Sequence, residues 1–154
     1  GLTEAALASA CLLGGRFSIV AISQRIKAWY RETVQHYGLE SRLASIRALD
    51  EPLADIGNVQ GNQGEALVAL AGRCVAEDGA DVIVLAGAPL AGLARTLASR
   101  LPVPTVDGVS SAVRHAESMV RLRPQRATQG SYAPVPRKPH QGLPAPIVRL
   151  LERP

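Results

Sequence analysis

The spacing of apolar positions changes repeatedly along the chain. Residues 5–13 are Ala/Leu-rich at helical spacing and run into Gly14-Gly15, which predicts a helix with a glycine stop. Phe17-Ser18-Ile19-Val20-Ala21-Ile22 is short, apolar and rich in β-branched residues, the profile of a strand covered on both faces. Ser23 is placed to cap a helix over 24–37, where Ile26, Trp29, Tyr30, Val34 and Tyr37 recur at helical spacing before Gly38. Residues 43–49 alternate weakly and predict a short strand. Residues 51–64 hold Pro52, Gly57, Asn58, Gly61 and Gly64 and read as a long loop or broken element. A helix over about 65–77 follows and stops at Asp78-Gly79.

Asp81-Val82-Ile83-Val84-Leu85 carries the strongest strand pattern in the chain. It runs through Ala86-Gly87-Ala88-Pro89 into a helix reaching Leu101, with Pro89 suited to the first turn. Residues 102–108 read as another short strand and 110–122 as a helix. Strand and helix thus alternate, which predicts the α/β class: an open parallel sheet of about four strands flanked by helices, with right-handed crossovers. Periodicity then stops. Seven of the eleven prolines lie from Pro124 onward, so the expected division is an α/β lobe over 1–122 and a Pro-rich basic arm over 123–154. The last apolar residues, Ile147, Val148, Leu150 and Leu151, fit one short docking helix.

Composition narrows the function classes. A chain of 154 residues with 47% hydrophobic content suits one core, and 3% aromatic content suits helix-on-sheet packing better than stacking on sugars or unpaired bases. The net charge of +4 is not evenly spread: up to Val120 acids slightly exceed bases, whereas Arg121, Arg123, Arg126, Arg137, Lys138, Arg149 and Arg153 face Glu152 alone. Basic tails are ordinarily solvated, so nucleic acid is not the expected partner. Cys11 and Cys74 lie in apolar helical patterns without paired or metal-type spacing, which points to free thiols and a cytoplasmic location. No apolar run reaches membrane-spanning length, and residues 5–13 lack the basic flank of a signal peptide, so no membrane association is expected. The chain begins at Gly1 inside a helical pattern, as expected of a piece of a longer protein.

In open parallel sheets ligands bind outside the carboxyl ends of the strands. Three junctions qualify: Ala21-Ile22-Ser23, Ala86-Gly87-Ala88 and Asp107-Gly108-Val109. Their small residues let a ligand such as a carboxylate approach the backbone, and equally let helices pack tightly on the sheet. The chain has no phosphate loop, no dinucleotide fingerprint and no Gly-x-Ser-x-Gly elbow. His36, His115 and His140 stand too far apart to suggest a metal site, which leaves chemistry without a cofactor. Asp107, placed before Gly108, reads as a turn or cap residue rather than a catalytic acid. Trp29, Tyr30 and Tyr37 read as helix core rather than a substrate cage, and Cys74 as a buried, inert thiol.

Five strings carry more than composition does: Arg16-Phe17-Ser18-Ile19-Val20, Tyr37-Gly38-Leu39, Asp78-Gly79-Ala80-Asp81-Val82-Ile83-Val84-Leu85, Ala91-Gly92-Leu93-Ala94 and Pro102-Val103-Pro104-Thr105-Val106-Asp107-Gly108. In order and spacing, from about Gly1 to Leu122, they resemble the hydantoin racemase branch of the aspartate/glutamate racemase superfamily. Gly130-Ser131-Tyr132-Ala133 is similar to that branch's carboxyl-terminal segment. The resemblance implies two similar α/β lobes around a cleft, with a cysteine from each facing the substrate's stereocentre from opposite sides and no cofactor. One thiolate removes a proton and the other thiol returns one, while backbone amides and hydroxyls hold the carboxylate or imide oxygen.

Carried over position by position, the resemblance makes this chain the second lobe, with the first thiol expected upstream of Gly1. The family's second thiol lies in a Leu-Gly-Cys-Ala-Gly string that aligns with Leu85-Ala86-Gly87-Ala88-Pro89, so Gly87 stands at the cysteine position. The family's paired threonines fall on Ala21 and Ile22, leaving Ser23 as the nearest hydroxyl. The implied ligand is a small carboxylate or hydantoin-like molecule, bound by Ala21, Ile22, Ser23, Ala86, Gly87 and Ala88. The implied activity is racemisation of a small carbon acid, a 5-substituted hydantoin or an amino acid, impaired in this chain by the missing thiol. Two other readings stay open: a single-thiol decarboxylase or isomerase of malonate- or maleate-like diacids, as arylmalonate decarboxylases on this scaffold suggest, and a non-catalytic lobe that binds a small anion. A lone lobe exposes an apolar cleft face, so a homo-oligomer is expected.

Overall fold

Two strands of the sheet, β1 (Phe17–Ala21) and β3 (Val82–Ala86), are buried at every position, because helices cover both their faces. Alternate side chains point to opposite layers. Phe17, Ile19, Ala21, Val82, Val84 and Ala86 pack with Ala6, Leu7 and Ala10 of α1 (Leu2–Leu13) and with Tyr30 and Val34 of α2 (Lys27–His36). Val20, Ile83 and Leu85 turn the other way, onto Leu67, Ala71 and Cys74 of α3 (Val59–Asp78) and Leu93, Ala94 and Leu97 of α4 (Leu93–Leu97). The computed structural model describes residues 1–50, 58–134, 136 and 139–151. The anticipated loop over 51–64 therefore lies outside the described residues as far as 57, and from Val59 onward the chain is helix.

Two further strands, β2 (Leu43–Ala48) and β4 (Thr105–Asp107), complete a four-stranded sheet in the order β2-β1-β3-β4. All neighbours are parallel, as the alternation of strand and helix predicts. Ala21 pairs with Ala48 on one side and Ala86 on the other, so the carboxyl ends of three strands finish level. Ser18, the polar residue of β1, is buried and hydrogen-bonds Ser45 of β2 at 2.8 Å. Ser45 in turn donates to Asp78 at 2.6 Å.

Several boundaries differ from the sequence expectation. α3 begins at Val59 rather than near 65; the packing of Leu67, Ala71 and Cys74 outweighs the roughly 1 kcal/mol that a helical glycine costs. The side chain of Gln60 also donates to the carbonyls of Pro89 and Ala91, at 2.8 and 3.0 Å. The single helix expected after Pro89 is two pieces: a 3-10 turn, Ala88–Leu90, and the short α4. Gly92 at φ +78 separates them, a conformation that ends a right-handed helix. Helix 24–37 likewise opens as a 3-10 turn, Gln24–Ile26, with the Ser23 hydroxyl accepting from the Arg25 amide at 3.3 Å. Gly14 does follow α1, but with extended backbone (φ −162). A Cβ there would stand 2.7 Å from Asp81 Cβ and Val82 Cγ2, so close approach of the chain, rather than a left-handed stop, requires glycine.

The chain forms two compact units, Gly1–Arg121 and Leu122–Pro154. The first holds the sheet and is completed by α5 (Gly108–Leu122), whose one buried residue is Ser111. The second contains α6 (Ala145–Leu151), none of whose residues is buried. No helix among the described residues is long and apolar enough to cross a membrane.

Candidate functional site

The chain leaves β1 to build β2 on one side, then returns to build β3 on the other. The point where the strand order reverses lies between the carboxyl ends of β1 and β3, where connecting segments diverge and leave a crevice. A cavity of about 680 Å³ opens at this end of the sheet. Its floor is Val84, Leu85, Ala86, Gly87 and Ala88, with Gly108 and Val109 at the start of α5. The first turn of α1 forms one wall and a face of α2 the other.

Gly87 sits on that floor with φ +123 and ψ 138, a region that side-chain-bearing residues rarely occupy. Space is not the constraint, since a Cβ would lie 3.7 Å from Pro89 Cδ and 3.9 Å from Ile22 Cδ1. The Leu90 amide bonds the Gly87 carbonyl at 3.0 Å and closes the turn. Of the six positions singled out in the sequence, Ala86, Gly87 and Ala88 line the cavity. Ala21, Ile22 and Ser23 are not among its lining residues: Ala21 is fully buried beside Ala86, Ile22 packs behind the Gly87 turn, and the Ser23 hydroxyl is engaged with Arg25. At the third junction Gly108 and Val109 reach the lining, but its acid does not. Asp107, 1% exposed, accepts from the amides of Ser110 at 2.8 Å and Gly92 at 3.2 Å, which makes it a cap at the head of α5.

The α2 aromatics depart from the sequence expectation. Tyr30 is buried, but Trp29 is 51% and Tyr37 38% exposed, and all three line the cavity with Ile26, Thr33 and His36. Their helical spacing does mark one face of α2: Tyr30 and Val34 keep part of it in the core, while Trp29, Thr33 and Tyr37 turn its margin to the cavity. Trp29 meets Tyr30 edge-on with ring centroids 5.0 Å apart, and His36 meets Tyr37 edge-on at 5.1 Å. Glu32 and Glu4 add the acidic side chains of the lining; among the described residues no Lys or Arg side chain contributes to it. The Gly1 amino group, hydrogen-bonded at 2.9 Å, holds the Glu4 carboxyl below its usual range. Partial burial and then the neighbouring Glu4 raise the Tyr37 hydroxyl, and burial raises that of Tyr30. Sequence reasoning missed Glu4, Glu32 and His36 as cavity residues; the one available signal, for Glu32 and His36, was their place beside the Ile26-Trp29-Tyr30-Val34-Tyr37 stripe.

Neither thiol reaches the cavity lining. Cys74 is buried on the opposite face of the sheet, where burial pushes its pKa up and the Ser45 hydroxyl lies 3.7 Å from its sulfur. Cys11 is half-buried on α1, and both cysteines are free. Among the described residues no group of three or more His, Cys, Asp or Glu side chains converges as metal ligands would. The floor thus offers backbone and small side chains, and the titratable groups stand on the α1 and α2 walls.

Residues 1–116 match the family model described as Asp/Glu/Hydantoin racemase. The chain is 37% identical over 132 residues to the hydantoin racemase of Paenarthrobacter aurescens, covering 86% of this chain and 56% of that protein. It is 32% identical over 142 residues to the hydantoin racemase of Pseudomonas sp. (strain NS671), covering 92% and 57%. Among solved structures, the allantoin racemase from Klebsiella pneumoniae superposes with a TM-score of 0.80 at 34% identity, over 92% of this chain and 58% of that one. The allantoin racemase from Pseudomonas fluorescens gives 0.75 at 34% identity, over 91% and 60%. The chain therefore spans a little over half the length of the relatives it matches. Its four-stranded parallel sheet, its collinear strings and a family match across 1–116 place the chain in the Asp/Glu/hydantoin racemase family.

Proposed function

We propose that this chain is the second, ligand-holding lobe of a cofactor-independent racemase or isomerase acting on a small carbon acid, a 5-substituted hydantoin or an amino acid, and that it presents its substrate with a thiol-free wall at Gly87. The carrying observation is the position of Gly87: it faces a cavity of ligand size at the reversal point of the strand order. Substrate-binding contacts are assigned to Ala86, Gly87 and Ala88, with Ala21, Ile22 and Ser23 supporting that turn from β1. With no proton-transfer group on the floor, this lobe holds the substrate while proton removal and return fall to groups outside it. Racemisation by this chain alone is accordingly impaired.

The backbone at Gly87 also favours a second reading. A turn at φ +123 is built for glycine and would strain a restored cysteine, as expected where one-sided protonation, or binding without chemistry, has replaced two-base exchange. The free cysteines support a reducing, cytoplasmic setting, and the exposed Val113, Met119 and Val120 on α5 support a homo-oligomer.

Deuterium exchange at the α-carbon of 5-substituted hydantoins and amino acids, followed by NMR in heavy water, tests the activity. The chain by itself is expected to exchange at least about a hundredfold more slowly than a two-thiol relative, the size of effect that one positioned proton-transfer group contributes. Exchange at the relative's rate would show that Gly87 does not mark an impaired site.

A further inference from the structure

The charges around the cavity run opposite to those of an anion site. Its acidic side chains are Glu4 and Glu32, and among the described residues no Lys or Arg side chain joins them in the lining. The amides at the head of α5 that an anion would need are partly taken by Asp107, which accepts from Ser110 and Gly92. Trp29, Tyr30 and Tyr37 share the α2 side of the lining with Glu32, and Glu4 stands on the α1 side. Trp29 and Tyr37 keep half and more than a third of their surface open, respectively.

Aromatic faces attract cations through the negative potential above the ring, most strongly for Trp, and nearby carboxylates reinforce that attraction. A dianionic ligand would instead be desolvated against two like charges with no Lys or Arg partner among the described residues of the lining.

We propose that the α2 wall, Trp29, Tyr30 and Tyr37 with Glu4 and Glu32, is a subsite for an organic cation, so that the ligand of this cavity carries an alkylammonium group and not a second carboxylate. The assignment deepens the reading of the same cavity as a ligand site. It places the ligand's charged end on the aromatic wall and its reacting end towards Gly87.

The test compares choline with its uncharged isostere 3,3-dimethylbutan-1-ol, and with malonate, in titrations followed through Trp29, the one tryptophan of the chain. Choline is expected to give a saturable fluorescence change, the isostere to bind at least about threefold more weakly, and malonate to leave the signal flat. A Glu4→Gln/Glu32→Gln double variant is expected to lose most of the preference for choline while binding the isostere unchanged, and Tyr37→Leu to weaken choline. Both carboxylates and Tyr37 are exposed, and far-UV circular dichroism verifies the fold of each variant; if one unfolds, the wild-type comparison of choline with its isostere decides. Equal affinity for choline and isostere, a saturable malonate response, or no saturable choline response overturns the proposal. α-Carbon exchange at a two-thiol relative's rate with an intact choline preference removes the impaired-site reading alone. Exchange slowed as expected but without that preference removes the cation subsite alone.

Discussion

Gly87 combines two requirements that a cysteine would meet only in part. Room for a Cβ exists, with Pro89 Cδ at 3.7 Å, yet the backbone stands at φ +123. Replacing glycine there costs strain rather than contact, of order 1–2 kcal/mol. Gly87→Ala is therefore expected to lower the unfolding free energy measured by urea titration by that amount; an unchanged value would mean that the turn relaxes freely and that a thiol could be restored without loss. Gly14 presents the reverse case, ordinary backbone angles but no room, and this distinction cannot be read from a row of letters. The sequence likewise marks Trp29, Tyr30 and Tyr37 as one helical face, but spacing alone does not tell whether a face meets core or cavity. Glu4 stands in a different helix, and only the tertiary fold brings it to that wall.

Between elements, the clearest electrostatic tie joins β2 to α3. Arg47 forks onto Asp78, its Nε 2.7 Å and Nη2 2.8 Å from the two carboxylate oxygens, and reaches Glu77 at 2.6 Å. These bonds, chiefly the one from Arg47, hold the Asp78 carboxyl at about 2, below its ordinary value of about 3.9. The unfolded chain therefore binds the proton first as pH falls. The stabilisation is complete above about pH 5 and disappears as pH drops through about 2. With solvent nearby, the contribution is about 1 kcal/mol. Chemical denaturation of wild type and Asp78→Asn should differ by that much at pH 6 and converge towards pH 2; a pH-independent difference would assign the effect to packing. Strand periodicity made β1 and β3 legible, because strands buried on both faces admit little but Val, Ile, Leu, Ala and Phe. The broken helix after Pro89 was not legible, since Gly92 is tolerable in a helix until the Asp107 carboxylate draws its amide aside.

For the whole molecule, the alternation of strands and helices gave the class and parallel sense of the sheet but not the order β2-β1-β3-β4, which depends on which side of β1 each crossover takes. That order decides where the cavity lies, so the junctions could be named from sequence while only the structure separates Ala86-Gly87-Ala88 from Ala21-Ile22-Ser23. The same scale governs association. α5 buries Ser111 alone and shows Val113, Met119 and Val120 on its outer surface, apolar area that a second copy would cover. Sedimentation velocity of Val113→Glu/Val120→Glu should show a shift from oligomer towards monomer; an unaltered distribution would place self-association elsewhere.

The double cap made by Asp107 has a mechanical consequence. One carboxylate, seated at the end of β4, holds both the amide that opens α4 and an amide in the first turn of α5. Gln60 grips the intervening turn through Pro89 and Ala91. The floor is thereby braced from two directions by polar contacts, whereas the α2 wall is seated on the sheet by the apolar packing of Tyr30 and Val34.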